Sequence, residues 1–238
     1  METLKEKNVI LTGATGGIGS SIARLLALEG AHLHLLGRDQ EKLEALEAEL
    51  RGLTKVETYV VDLRMEEEVQ AFIHHVRELD IGIDLLINNS ALFAVAPIED
   101  FSMDAFDEIL IVNLRAVFQL CRGLISELRK KPGAHIINIS SISAHHGWSG
   151  GGAYCASKFA LNGLSQSLSE ELRPDGIRVS IVSPGQVDTQ MSELEADDPA
   201  RELLLSPDDI AEVVLCTAKL SPNAYIPEII IRPMETGA

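Results

Sequence analysis

Seven short β-rich runs alternate with longer helical patterns from one end of the chain to the other. The runs are Asn8–Thr12, Ala31–Leu36, Val56–Val61, Asp84–Asn88, Ala134–Ser140, Arg178–Ser183 and Glu228–Arg232. Several contain unbroken apolar stretches, such as Leu85-Leu86-Ile87 and Ile229-Ile230-Ile231. A strand without polar alternation buries both faces, as parallel strands do beneath helices on each side. Between the runs, the spacing predicts helices over Ile18–Leu28, Gln40–Leu50, Glu66–Leu79, Met103–Arg129, Ala153–Leu172 and Pro207–Leu220. Gly30 suits the end of the first, Asp39 the cap of the second, and Asp208 and Asp209 the start of the last. Strict alternation predicts an α/β fold: a Rossmann-type doubly wound parallel sheet of about seven strands with helices on both faces. Residues 1–238 read as one domain. Met191–Leu205, acidic and without a strand pattern, is the one insertion-like stretch.

At 238 residues the chain is long enough for one large core without staples. Its 46% apolar and 24% charged residues exclude disordered, collagen-like and disulfide-framework classes. The net charge of −16 disfavours nucleic acid and anionic membrane surfaces as partners. We expect no membrane span, because no apolar run comes near the required length, and no secretory signal in the charged N-terminus. Cys121, Cys155 and Cys216 are odd in number and widely spaced, which suits a reducing, cytoplasmic location and no structural zinc. His145-His146 and His74-His75 lack a third ligand at a fitting spacing, so no metal is expected.

The first strand runs into Thr12-Gly13-Ala14-Thr15-Gly16-Gly17-Ile18-Gly19, and a helix follows. A glycine-rich strand-to-helix turn lets a pyrophosphate approach the backbone and sit on the helix N-terminus. The spacing is Gly-x-x-x-Gly-x-Gly, distinct from the general dinucleotide fingerprint; the alternative is a tight turn with no ligand. The second strand leads into Gly37-Arg38-Asp39. A guanidinium there can pair with a ribose 2′-phosphate, which favours NADP over NAD.

Tyr154 and Lys158 are four residues apart at the start of a predicted helix, so the phenol and the ammonium share a face. A cation beside a phenol favours its ionised form and makes it a usable acid or base. Ser140 and Ser141 close a strand, where open α/β sheets form their ligand crevice. Asn88 and Asn89 close the strand before it, and Asn113 lies inside the long helical stretch between. The plainer readings are serine as a turn former and Asn113 as a locally bonded helix residue.

Together, Thr12-Gly13-x-x-x-Gly17-Ile18-Gly19, Asp62, Asn88-Asn89-Ser90-Ala91, Asn113, Ser141, Tyr154-x-x-x-Lys158 and Pro184-Gly185-x-Val187-x-Thr189 resemble the short-chain dehydrogenase/reductase family, in its single-domain branch, over nearly the whole chain. The resemblance implies NADP-dependent hydride transfer between the nicotinamide and a carbonyl or alcohol. Tyr154 would exchange the proton, Ser141 would hydrogen-bond the substrate oxygen, and Lys158 would lower the Tyr154 pKa and hold the nicotinamide ribose. Asn113 would hold a water that relays protons to Lys158. Gly13, Thr15, Gly17, Ile18 and Gly19 would cradle the cofactor, with Arg38, Asp62 and Leu63 at its adenosine end. Asn89 would line it, and Pro184, Gly185, Val187 and Thr189 would cover the nicotinamide side. Many NADP-using members carry a basic residue where this chain has Gly16, so Arg38 would face the 2′-phosphate largely alone. Asn88-Asn89-Ser90-Ala91 stands where the family usually has Asn-Asn-Ala-Gly, a change small enough to keep the turn. The tail, Ile226 to Pro233, looks more like that of NADP-dependent carbonyl reductases of the sepiapterin-reductase and hydroxy-acid dehydrogenase sort than that of acyl-carrier-protein reductases.

Leu92, Phe93, His145, Trp148, Val187 and Met191 flank the matched positions and predict a mostly apolar substrate pocket in which Ser141, His145, Trp148 and Met191 touch the substrate. Residues 191–205 would form a short lid whose acids, Glu193, Glu195, Asp197 and Asp198, disfavour a phosphorylated substrate. The resemblance also implies a homotetramer or homodimer built on Met103–Arg129 and Ala153–Leu172. Two other readings stand beside this one. A 3-oxoacyl-acyl-carrier-protein reductase would show a basic surface near the pocket. A nucleotide-sensing module without turnover would lack Tyr154 or Lys158.

Overall fold

The computed structural model describes residues 2–192, 195 and 197–234. Seven parallel strands form one sheet: β1 (Asn8–Thr12), β2 (His32–Gly37), β3 (Val56–Val60), β4 (Leu85–Asn88), β5 (His135–Ile139), β6 (Arg178–Pro184) and β7 (Glu228–Ile231). Their order is β3-β2-β1-β4-β5-β6-β7. The chain therefore winds outward in one direction from β1 to β3, then returns to start again at β4. Such a reversal leaves a crevice beyond the strand ends between β1 and β4.

Helices α1 (Gly17–Leu28), α2 (Gln40–Leu50), α3 (Glu66–Leu79), α4 (Met103–Leu110), α5 (Ala116–Leu128), α6 (Gly152–Leu172) and α7 (Pro207–Ala218) connect the strands. Two separate cores lie on the two sheet faces. Leu11, Leu35, Ile87 and Ile137 pack with α1, α2 and α7, while Ile10, Leu36, Leu86 and Ile136 pack with α3, α5 and α6. Neighbouring residues of one strand enter opposite cores, which is why the strand runs carry no polar alternation.

Local signals operate as the sequence suggests. Asp39 accepts from Lys42 N and caps α2. Gly30, with φ +77°, follows the end of α1 in the left-handed conformation that glycine adopts without steric cost. Ser206 and Asp209 bond reciprocally at the start of α7.

Two expectations need correction. The long helix is not regular: residues Ile111–Arg115 form a π-helical segment between α4 and α5. Widened turns of this kind occur often at functional sites, and Asn113 lies in this one. Second, the stretch Met103–Leu128 is long and apolar enough by composition to cross a membrane, contrary to the expectation that no run comes near that length. Here half of that apolar window is buried within the protein, and Val117, Leu120, Cys121 and Leu124 pack into the core beside α3.

Candidate active site

A cleft of about 1230 Å³ opens along the C-terminal ends of the strands. One end is built by the glycine loop. Gly13 has φ +64°, and a Cβ there would lie 2.9 Å from Ser90 Oγ. A Cβ on Gly19 would lie 2.0 Å from the Gly13 carbonyl oxygen, so the loop can fold back over α1 only because residue 19 has no side chain. Asn89 holds the loop down. Its Nδ2 donates to the carbonyls of Thr12 and Gly13, both at 3.1 Å, and Thr12 Oγ1 accepts from the N–H groups of Asn89 and Ser90. Asn89 is thus a brace for the loop as well as part of the cleft wall.

The N-terminus of α1 faces this end with Gly16 as its cap, no capping side chain and no acid in its first turn. Its first N–H groups are therefore left for an external acceptor. Thr189 crosses over it, with a methyl that would lie 2.8 Å from a Cβ on Gly17. Arg38, at the end of β2, lines the cleft with Asp62 and Leu63 at the end of β3. Arg38 does not stand alone. Lys42 and Arg64 line the same end, which corrects the expectation that one cation serves it. Arg64 grips the Asp62 carboxylate with Nε and a terminal nitrogen, the latter at 2.6 Å, and this bond holds the Asp62 pKa below its ordinary value. Lys42 lies 3.5 Å from Asp39. Both cations were missed because they come just after the strand ends, Lys42 within a helical pattern and Arg64 two residues past Asp62. Reading one helical turn beyond each strand would have found them.

The other end holds the hydroxyl, phenol and ammonium. Ser141 follows β5, and its Oγ accepts from Ser143 N at 3.1 Å. Tyr154 lies in the first turn of α6, buried, with the Phe93 ring nearly perpendicular to it at a centroid distance of 4.9 Å. Lys158, one turn on, is buried, and its Nζ donates to the Ile139 carbonyl at 2.9 Å. Ser141, Tyr154 and Lys158 all line the cleft. The electrostatics differ from expectation. Burial pushes the Tyr154 phenol up to about 12, against a smaller opposing effect of the Ser141 hydrogen bond. Burial also pushes Lys158 down to about 8. With Nζ 5.7 Å from the ring centroid, the ammonium does not outweigh the desolvation of the phenol, so the Tyr154 pKa is raised rather than lowered.

Asn113 does not line the cleft. Its Oδ1 accepts from Leu92 N at 2.7 Å, and its Nδ2 donates to Leu92 O and Ser157 Oγ. Both amide protons are committed to bracing the segment after β4 against α6, so a water relay there would have to run through the main chain of the π-helical turn. His145 is a second correction. It turns away from the cleft, with Nε2 2.7 Å from Glu228 Oε1 on β7, and His146 takes the lining position.

Trp148 and Met191 line the cleft as expected, with Leu92, Phe93 and Val187. The Trp148 indole donates to Ser143 Oγ at 3.0 Å and lies close against the Gly151 backbone. Pro184 and Gly185 complete this wall, where Gly185 N donates to Ile231 O at 2.7 Å. Of the expected lid, Glu193 lies outside the described residues, and Pro199–Leu203 forms a short 3-10 turn. Among the described residues no group of three or more histidine, cysteine, aspartate or glutamate side chains could hold a metal.

A bare helix N-terminus, a loop with no room for a side chain at residues 13, 17 and 19, and three cations at one end fit a phosphorylated dinucleotide. Comparison with known proteins agrees with this geometry. The family model of short chain dehydrogenases matches residues 7–200. An uncharacterised oxidoreductase of Staphylococcus saprophyticus is 33% identical over 98% of this chain and 100% of its own. A metagenomic short-chain oxidoreductase solved in complex with NADP superposes with a TM-score of 0.85 at 34% identity, covering 99% of this chain and 100% of that one. An alcohol dehydrogenase from the archaeon Thermococcus sibiricus, complexed with 5-hydroxy-NADP, gives 0.89 at 30% identity over 96% and 97% of the two chains.

Proposed function

The chain belongs to the short-chain dehydrogenase family, and from that membership we propose that it is an NADP-dependent oxidoreductase acting on a carbonyl/alcohol pair. One observation carries the reading. Ser141, Tyr154 and Lys158 meet at one end of a cleft whose other end is the bare N-terminus of α1 with Arg38, Lys42 and Arg64. The NADP found in related structures favours the same cofactor here. The glycine loop and α1 would receive the pyrophosphate, the three cations the adenosine phosphate, and Pro184 to Thr189 the nicotinamide side.

NADP supplies the hydride chemistry when bound. The chain supplies the proton and the position. In the reductive direction Tyr154 donates its proton to the carbonyl oxygen. Burial keeps the phenol neutral until that oxygen gains charge. The Ser141 hydroxyl hydrogen-bonds the same oxygen and stabilises the charge that develops there. The Lys158 ammonium spends one N–H on Ile139 O and keeps two for ribose hydroxyls. Phe93 and Trp148 exclude water from the Tyr154 side.

The three free cysteines fit the cytoplasmic assignment. Phe118 on α5 and Phe159 on α6 are exposed and support an oligomer formed through those helices; sedimentation at micromolar concentration tests it.

The test of the function is a panel of ketones, aldehydes, oxoacyl thioesters and alcohols with NADP(H) and NAD(H), followed by nicotinamide absorbance. Tyr154→Phe should lower kcat on the best substrate by ~10²-fold or more with dinucleotide affinity unchanged. Undiminished turnover in that variant would remove Tyr154 from the chemistry.

A further inference from the structure

Glu228 opens β7, the strand at one edge of the sheet, where a carboxylate could simply face water. Its Oε1 instead meets donors from three other parts of the chain. Ser183 Oγ of β6 donates to it at 2.8 Å and Asn162 Nδ2 of α6 at 3.3 Å. His145 Nε2 lies 2.7 Å away, and a carboxylate only accepts, so the imidazole is the donor there. Ser183 is fully buried and Asn162 nearly so. Buried donors need an acceptor, and Glu228 supplies one to both.

Two of these donors lead to the proton-transfer end of the cleft. His145 closes the 3-10 turn Ile142–Ala144, whose N-terminal cap is Ser141. Within that turn Ser143 N donates to Ser141 Oγ, and the Trp148 indole donates to Ser143 Oγ. Asn162 stands one helical turn beyond Lys158, as Lys158 stands one turn beyond Tyr154, so the three share a face of α6. The Asn162 Oδ1 accepts from Ser140 Oγ at 2.6 Å. Ser140 lines the cleft beside Ser141, and Ile139 before it gives Lys158 its carbonyl acceptor. Glu228 is not itself one of the residues lining the cleft. It holds that wall from behind.

Ser141 follows β5 and Tyr154 belongs to α6, yet both must reach one substrate oxygen. Their spacing depends on what ties the end of β5 and the turn after it to α6. A hydrogen-bonded network of buried groups makes such a tie rigid when every member is satisfied. We propose that Glu228 is a positioning residue for the proton step: by drawing Ser183, Asn162 and His145 onto one carboxylate oxygen, it fixes the turn that carries Ser141 against the helix that carries Tyr154 and Lys158. This rests on the oxidoreductase reading above.

The experiment compares the native chain with Glu228→Leu, Glu228→Gln, His145→Phe and the double variant Glu228→Leu with His145→Phe, each well below its Tm. Turnover is measured on the best carbonyl substrate of the panel, with active protein counted by NADPH binding. Trp148 is the only tryptophan of the chain, and its emission without dinucleotide reports on the Ser141 turn. Glu228→Leu should lower kcat by ~10–100-fold, as when reacting groups drift by about 1 Å, and should shift the Trp148 emission. NADPH affinity and substrate KM should stay within ~2-fold of native. Glu228→Gln offers an amide oxygen to the same donors and should keep kcat within ~3-fold with native emission. His145→Phe should lose part of kcat, and the double variant should be no slower than Glu228→Leu, because both changes loosen one turn. Native kcat and emission in Glu228→Leu overturn the proposal. So do equal losses in the leucine and glutamine variants, which would make charge and not position the cause, and so do losses that multiply in the double variant. If Glu228→Leu does not fold, His145→Phe carries the same two readouts. If the native protein reduces no carbonyl compound, the oxidoreductase reading fails, whereas unmoved Trp148 emission in both single variants refutes the hold on the turn by itself.

Discussion

Replacing Lys158 with methionine should abolish turnover and yet leave the protein no less stable. Lys158 is among the largest fully buried side chains, and burial takes its pKa from 10.5 to about 8. At ~1.4 kcal/mol per pKa unit, holding it charged in the fold costs about 3 kcal/mol at neutral pH. Methionine removes that cost and orphans the Ile139 carbonyl, which loses its 2.9 Å donor at a cost of ~1–3 kcal/mol. The balance runs from zero to about 2 kcal/mol in favour of the variant. At ~2–4 °C per kcal/mol for a chain of this size, its Tm should rise by up to about 8 °C.

The pH dependence provides the sharper measurement. Below about pH 8 lysine is protonated in both folded and unfolded states, and the native chain bears the full penalty. Between that value and 10.5 the unfolded state binds the proton and the folded state does not. Native stability therefore rises with pH across this window, relative to a variant without the ammonium. The Tm advantage of Lys158→Met should shrink by ~4–8 °C between about pH 7.5 and about pH 9.5. Taking the difference between the two proteins cancels the opposite slope from Cys121, whose thiol burial pushes up to about 12. A variant much less stable than the native chain, with a difference independent of pH, would refute the argument that the site stores a desolvated charge.

Two further outcomes follow from the cleft. Gly19→Ala drives a Cβ to 2.0 Å from the Gly13 carbonyl, whereas Gly16→Ala meets the same atom at 3.4 Å. The first should cost ~1–3 kcal/mol and most of the dinucleotide affinity and the second far less stability; equal Tm values would show that the loop yields freely. Arg38→Leu should weaken NADPH more than NADH, but with Lys42 and Arg64 lining the same end the loss should stay within ~10–100-fold. Titration of both dinucleotides reads this, and equal losses for the two would remove Arg38 from the 2′-phosphate.

The fold was legible along the chain because its signal is local and repeated. Unbroken apolar strands cannot be satisfied unless helices cover both faces, and the turn chemistry of Gly30, Asp39 and Asp209 agrees with that pattern at each boundary. The chain also placed Ser141, Tyr154 and Lys158, since strand ends and one helical turn fix where such groups meet. Tertiary structure alone decided how each side chain spends its polar atoms. His145 and His146 are neighbours in the chain, yet one reaches Glu228 on β7 and the other faces the cleft. Asn113 is matched by position, but its amide is consumed by Leu92 and Ser157. The ammonium expected to acidify the phenol is instead itself desolvated beside it, because the shift depends on how far water is excluded from both groups. No spacing along the chain tells which residues, or how much water, a folded surface will bring to a given atom.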